Sequence, residues 1–225
     1  METKYLYLSY LLDNNTPSYG NRNKVDLIKR SSIKKGDIAN DSSISTTVHI
    51  GTHIDMPYHF FEDGQTIEDF SINYFNFNNV LFLEITPKSL IIKEELISEL
   101  EKATDKSRYE LLVVKTGICH RRETEDFWDK NYGFDPSLAE YLRKNFPNIR
   151  VFGFDSISIS SFQDRMKGRQ AHRNFLDPKH PILLLEDMDL RELTNSIIIE
   201  KLIIAPLRIA KCDGLPCTII AEIVQ

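Results

Sequence analysis

Residues 48–60 read Val48-His49-Ile50-Gly51-Thr52-His53-Ile54-Asp55-Met56-Pro57-Tyr58-His59-Phe60. Three of the chain's six histidines and an aspartate fall within these thirteen residues, a density that packing does not account for. Neutral imidazole and carboxylate are the usual ligands of zinc and manganese. Zinc proteases of the HExxH type place two histidines one turn apart on a helix with a glutamate between. This segment is different. It follows a β-branched run at 45–50, contains Gly51 and carries Pro57, which predicts a strand running into a tight loop. Gly51 lets the backbone turn, so that His49, His53 and Asp55 converge on one ion. The two oxygens of Asp55 allow it to bridge to a second.

Downstream, His172 sits in GRQAHRNFL and Glu186 closes the apolar run ILLLE. A carboxylate at the polar end of a buried strand is placed to reach a site, and a second ion needs such ligands. An ordinary solvated strand end is the alternative. Between and around these clusters, strands are expected at 5–9, 25–29, 45–50, 80–85, 110–115, 149–154, 182–185, 197–204, 207–210 and 218–223. A helix is expected at 93–103, with Leu96, Ile97 and Leu100 on one face. A second starts from an Asp135 cap and Pro136, buries Leu138 and Leu142 and stops before Pro147. A third is expected at 168–176. The pattern predicts a mixed α/β fold with one sheet-dominated core, in a single domain over 1–225.

Composition narrows the function classes. The chain has 225 residues and a net charge of -5. A weakly acidic chain lacks the basic face that general nucleic-acid binding requires. Three cysteines, Cys119, Cys212 and Cys217, are too few and odd in number for a disulfide framework, and they read as reduced thiols of a cytoplasmic protein. No segment reaches the roughly 18 uninterrupted apolar residues of a membrane helix. The opening METKYLYLSYLLD is too polar and too alternating for a signal peptide. The expected partners are a small-molecule substrate and further copies of the chain, with no nucleic acid and no membrane.

The segment from His49 to Phe60 resembles the signature of the metal-dependent cyclase and kynurenine formamidase family. Ala171-His172-Arg173, followed by the strand ending in Glu186-Asp187, resembles that family's second ligand block. Fainter echoes are Thr16-Pro17-Ser18-Tyr19, Lys115-Thr116-Gly117, Gly153-Phe154-Asp155 and 207–216, so the resemblance spans most of the chain. It implies a swivelling β/β/α fold assembled as a homodimer or larger homo-oligomer. It implies two divalent ions, Zn first and Mn as the alternative. His49, His53 and Asp55 would hold one, and Asp55, Glu186 and His172 the other. His59 would be the general acid/base. Paired ions lower the pKa of a shared water and polarise a carbonyl, so the implied reaction is hydrolysis of N-formyl-L-kynurenine to L-kynurenine and formate in tryptophan catabolism. An isatin-type lactam or a lactone is the alternative substrate. A metal-binding module without catalysis is a further reading, against which His59 stands.

Three departures from the family pattern bear on the substrate and the second ion. Tyr19 stands where family formamidases carry a substrate-contacting tryptophan, and a tyrosine ring still stacks on an aromatic. The stretch 160–169 (SSFQDRMKGR) is unusually charged. Its basic run, with Arg173, reads as a solvated face, or else Arg165 or Arg169 pairs with a substrate carboxylate. The spacing from His172 to Glu186 is about two residues longer than usual, as if 178–180 were a small insertion. Elsewhere, Cys119-His120 reads as a buried thiol beside a surface imidazole, His180 as a loop residue, Trp128 as core or rim, and Asp155 as a support for a ligand histidine or a strand-end cap.

Overall fold

The computed structural model describes residues 3–224. Thirteen strands and four α-helices are formed among them. In chain order these are β1 (Thr3–Tyr7), β2 (Asp26–Ser31), β3 (Asp41–Ser45), β4 (His53–Asp55), β5 (Asn76–Phe77), β6 (Val80–Glu84), β7 (Ile91–Ile92), α1 (Glu94–Glu101), β8 (Leu111–Lys115), α2 (Asp126–Asp129), β9 (Gly133–Phe134), α3 (Ser137–Asn145), β10 (Val151–Phe154), α4 (Arg165–Phe175), β11 (Leu183–Glu186), β12 (Ile198–Pro206) and β13 (Gly214–Val224).

Nine strands form one sheet in the order β5-β12-β13-β4-β11-β10-β8-β6, with β1 also paired to β13. The sheet curls so far that β12 approaches β6, nearly closing a barrel. Its two halves differ in chemistry. β6, β8, β10 and β11 run parallel, and LLVVK, VFGF and LLLE are buried at every position. Strands covered on both faces read as continuous apolar runs, and parallel neighbours need long crossovers. Here α1, α3 and α4 each lie in a crossover. The other half is antiparallel, and β12 alternates exposed and buried residues along most of its length.

The helices form where their apolar periodicity places them. Leu96 and Leu100 of α1 and Leu138 and Leu142 of α3 are fully buried, each contributing about 1.5–3 kcal/mol. Asp135 Oδ1 accepts from Ser137 N at 3.0 Å, the cap expected from Asp135-Pro136. α4 starts one turn earlier than 168, because Asp164 Oδ1 accepts from Lys167 N at 3.1 Å.

Two expected strands are corrected. Residues 46–52 form no strand; the strand ends at Ser45 and the next begins at His53. β3 pairs only with β2, as a ribbon apart from the main sheet. Beyond Ser45 no neighbour offers a ladder, and β-branched residues do not hold a strand without one. Residues 207–210 likewise lie in the turn between β12 and β13, tied by Leu207 N donating to Pro216 O at 2.9 Å.

Candidate metal centre

The centre is built on β4, a three-residue strand between β11 and β13. Alternation places His53 and Asp55 on one face and Ile54 on the other, where Ile54 is fully buried in the core. The register sets Glu186 of β11 opposite His53. Glu186 Oε2 lies 3.4 Å from His53 Nε2, and its Oε1 accepts from Ile159 N at 2.7 Å. Gly51 has φ 57, the left-handed conformation that glycine adopts without strain. That turn brings Gly51 O within 2.8 Å of His53 Nδ1.

Two imidazoles are thereby set in one tautomer. His53 Nδ1 donates to Gly51 O, and His172 Nδ1 lies 2.9 Å from Gly168 O, one turn back on α4. A carbonyl only accepts, so Nδ1 carries a proton in both rings, and in the neutral ring Nε2 is the nitrogen left with a lone pair. His172 Nε2 faces Asp55 Oδ2 at 3.5 Å and Glu186 Oε1 at 3.8 Å. Asp55 divides its oxygens: Oδ1 lies 2.9 Å from His49 Nδ1 and 3.4 Å from His53 Nε2, and Oδ2 is turned to His172.

Buried His53 Nε2 and Asp55 Oδ2 have no hydrogen-bond partner. Such atoms are costly unless something satisfies them. Imidazole nitrogens and carboxylate oxygens are the donor set of Zn and Mn, so these residues fit a divalent ion. His49, His53 and Asp55 each offer a ligand atom within 4.8 Å of the others, as do Asp55, His59 and His172. Burial opposes charge on His49, but Asp55 and Asp213 overcome it and carry that imidazole up to about 9. Burial would raise the Asp55 carboxyl; the surrounding imidazoles, His49 foremost, hold it well below the usual carboxylate range.

His59 sits in the single turn Pro57–His59, where Pro57 presets the backbone. Its ring lies 4.0 Å from that of His49, and its Nδ1 is 3.1 Å from Asp213 Oδ2. All six of His49, His53, Asp55, His59, His172 and Glu186 line one cavity of about 360 Å³, and Tyr19 is on its wall. The Tyr19 hydroxyl donates to Ser161 O at 3.4 Å, and its ring meets Phe162 edge-on at 5.4 Å. Arg165 and Arg169 line the same cavity.

Other residues fall away from the site. Asp155 touches no ligand histidine; it accepts from the backbone of Thr116, Gly117 and Cys119 and closes the turn after β8. Cys119 is buried and His120 exposed, on a turn rather than a strand. His180 is exposed, and Trp128 meets Phe162. The residue that sequence reasoning missed is Asp213. The signal available was Gly214 beside it, which holds no side chain because the His49 ring lies where a Cβ would stand.

The comparisons with known proteins agree with one another. The cyclase family model matches residues 6–161. A kynurenine formamidase of Geobacillus thermodenitrificans is 27% identical over 217 residues, covering 96% of each chain. One of Bacillus cereus is 25% identical over 215 residues, covering 95% of each. Among solved structures, isatin hydrolase A from Labrenzia aggregata superposes with a TM-score of 0.81 at 20% identity, over 99% of this chain and 94% of that one. A structure described as a potential metal-dependent hydrolase with cyclase activity gives 0.77 at 20% identity over the whole of both chains.

Proposed function

The chain belongs to the cyclase family, and from that membership we propose that it is a metal-dependent amidohydrolase of the kynurenine formamidase kind, converting N-formyl-L-kynurenine and water to L-kynurenine and formate. The observation that carries this reading is the pair of buried, unpartnered atoms, His53 Nε2 and Asp55 Oδ2, in a cavity that also holds His59. His49, His53 and Asp55 would hold one divalent ion, and Asp55, His172 and Glu186 a second, with Zn ahead of Mn. An ion bound there lowers the pKa of water and polarises a carbonyl oxygen.

The chain's own residues move the proton. Asp213 accepts from His59 Nδ1 and leaves Nε2 facing the substrate. His59 Nε2 takes the proton of the attacking water and returns it to the departing amine nitrogen. Tyr19, on the cavity wall and backed by Phe162, offers aromatic surface to the substrate ring. Residues 1–225 act as one hydrolase domain of a cytoplasmic enzyme. No helix among the described residues is long and apolar enough to cross a membrane. The exposed Leu27, Ile38 and Ile44 of the ribbon are the surface that a second copy would cover in a homodimer.

The test is formate release from N-formyl-L-kynurenine by protein reconstituted separately with Zn and Mn, with His59→Ala as control. Metal-dependent, His59-dependent release is expected. No release from a folded, metal-loaded sample rejects the substrate. Tyr19 in place of tryptophan weakens the formamidase substrate and keeps ring opening of an isatin-type lactam as the second reading; an acid product without formate identifies it.

A further inference from the structure

Arg22, Arg165 and Arg169 gather on the wall of the metal-centre cavity. The arginines that pair with carboxylates are Arg121, Arg122, Arg150 and Arg191. Among the described residues, no carboxylate lies at ion-pair distance from Arg22, Arg165 or Arg169. The acids on the cavity wall, Asp55 and Glu186, are buried and turned to imidazoles. Three exposed guanidinium groups without a carboxylate partner thus line one cavity in a chain whose net charge is -5. An anion entering there is attracted by all three.

The placement is specific. Arg165, Arg169 and His172 are at positions i, i+4 and i+7 of α4, which share one helix face. A rise of 1.5 Å per residue sets Arg169 and Arg165 about 5 Å and about 10 Å along the axis from His172. The Arg165 guanidinium lies 5.1 Å from the Phe162 ring centroid and 5.9 Å from that of Tyr19. A guanidinium beside aromatic rings keeps its N–H edge for a planar carboxylate.

We propose that Arg165 and Arg169, with Arg22 beside them, hold a carboxylate of the substrate at the cavity wall. This deepens the hydrolase reading and rests on it for its kinetic test. Metal-loaded protein is assayed with 4-formamidobenzoate and with its neutral isostere 4-formamidobenzamide; the para position keeps the carboxylate away from the centre. The expected ratio of kcat/KM favours the benzoate by about tenfold, equivalent to about 1.4 kcal/mol. Raising the ionic strength should shrink it. In Arg165→Gln/Arg169→Gln the ratio should collapse toward one, chiefly through KM. Arg165→Lys should retain part of it, because the charge remains and the fork is lost. Thermal melts and metal content establish that the variants are folded. A ratio untouched by the double substitution, or a wild-type preference for the neutral compound, overturns the proposal. If neither compound is hydrolysed, formate release from N-formyl-L-kynurenine and ring opening of an isatin-type lactam tell whether the surrogates or the hydrolase reading is at fault. Equilibrium binding of 4-aminobenzoate against 4-aminobenzamide then decides the carboxylate question: arginine-dependent preference for the benzoate sustains it, and equal binding overturns it.

Discussion

Asp213 Oδ2 stands 3.1 Å from His59 Nδ1 although the two residues are 154 positions apart in sequence. The same oxygen lies 2.8 Å from His49 Nε2. One carboxylate therefore orients both the ring proposed to move protons and a ring proposed to hold an ion. Asp213→Asn keeps an acceptor oxygen for the two rings but removes the negative charge that faces both imidazoles. It should lower kcat/KM by about 10–100-fold, the range for groups that orient such rings. Steady-state rates across pH, with metal content measured in parallel, check this; an unchanged profile would remove Asp213 from the mechanism.

Stripping the metal should destabilise the protein measurably. A ligand that binds only the folded state at a hundred times its Kd contributes about 2.7 kcal/mol, which for a chain of this size shifts Tm by about 5–10 °C. Wild-type Tm should fall by that amount in EDTA. His53→Ala and Asp55→Asn should bind less than half the metal and lose the EDTA response. An EDTA shift of full size in Asp55→Asn would contradict its role as a ligand.

Metal binding should release protons. His49 is carried up to about 9, and His53 and His172 are also raised, their neighbouring carboxylates outweighing burial. An ion competes with those protons, so affinity should climb with pH and level off above about 9. In the metal-free protein the sign is opposite. A folded-state pKa raised above 6.5 stabilises fully below that value, and the contribution is lost as pH rises toward 9. Calorimetry in buffers of different ionisation enthalpy measures the released protons, and apo melts across the same range measure the loss.

Gly168→Ala should destabilise, although alanine is ordinarily better than glycine inside a helix by about 1 kcal/mol. A Cβ there would lie 2.7 Å from Ser160 Cα, backbone that cannot swing aside. Overpacking of this kind costs about 1–3 kcal/mol. Because Gly168 O holds His172 Nδ1, metal affinity should fall together with Tm. A rise in Tm would show that α4 does not need this close approach.

The sequence made the candidate site residues legible because they are chemically rare and locally clustered: four of the six, His49, His53, Asp55 and His59, come from 48–60. The parallel half of the sheet was equally readable, since LLVVK and LLLE have no polar face. The start of β4 was misplaced because Thr46, Thr47 and Val48 favour a strand locally, whereas strand formation depends on a neighbour that local sequence does not reveal. Asp213 escaped for the same reason. Gly214 beside it marks a close approach, but local sequence does not tell that the approaching group is His49. Asp155 shows the converse, where a suggestive position proved to be a turn cap.

β4 is three residues long and takes both its neighbours from distant sequence. His49 and Asp213, which meet there, are 164 positions apart. Closing so long a loop costs entropy that only the finished sheet repays, and such pairings form late in folding. During synthesis, a chain that has not yet delivered residues 213–224 has His49, His53 and Asp55 in hand but lacks the strand that aligns them. Capture of an ion by these residues would therefore be a late event, and its possession would certify that the first and last thirds of the chain have paired.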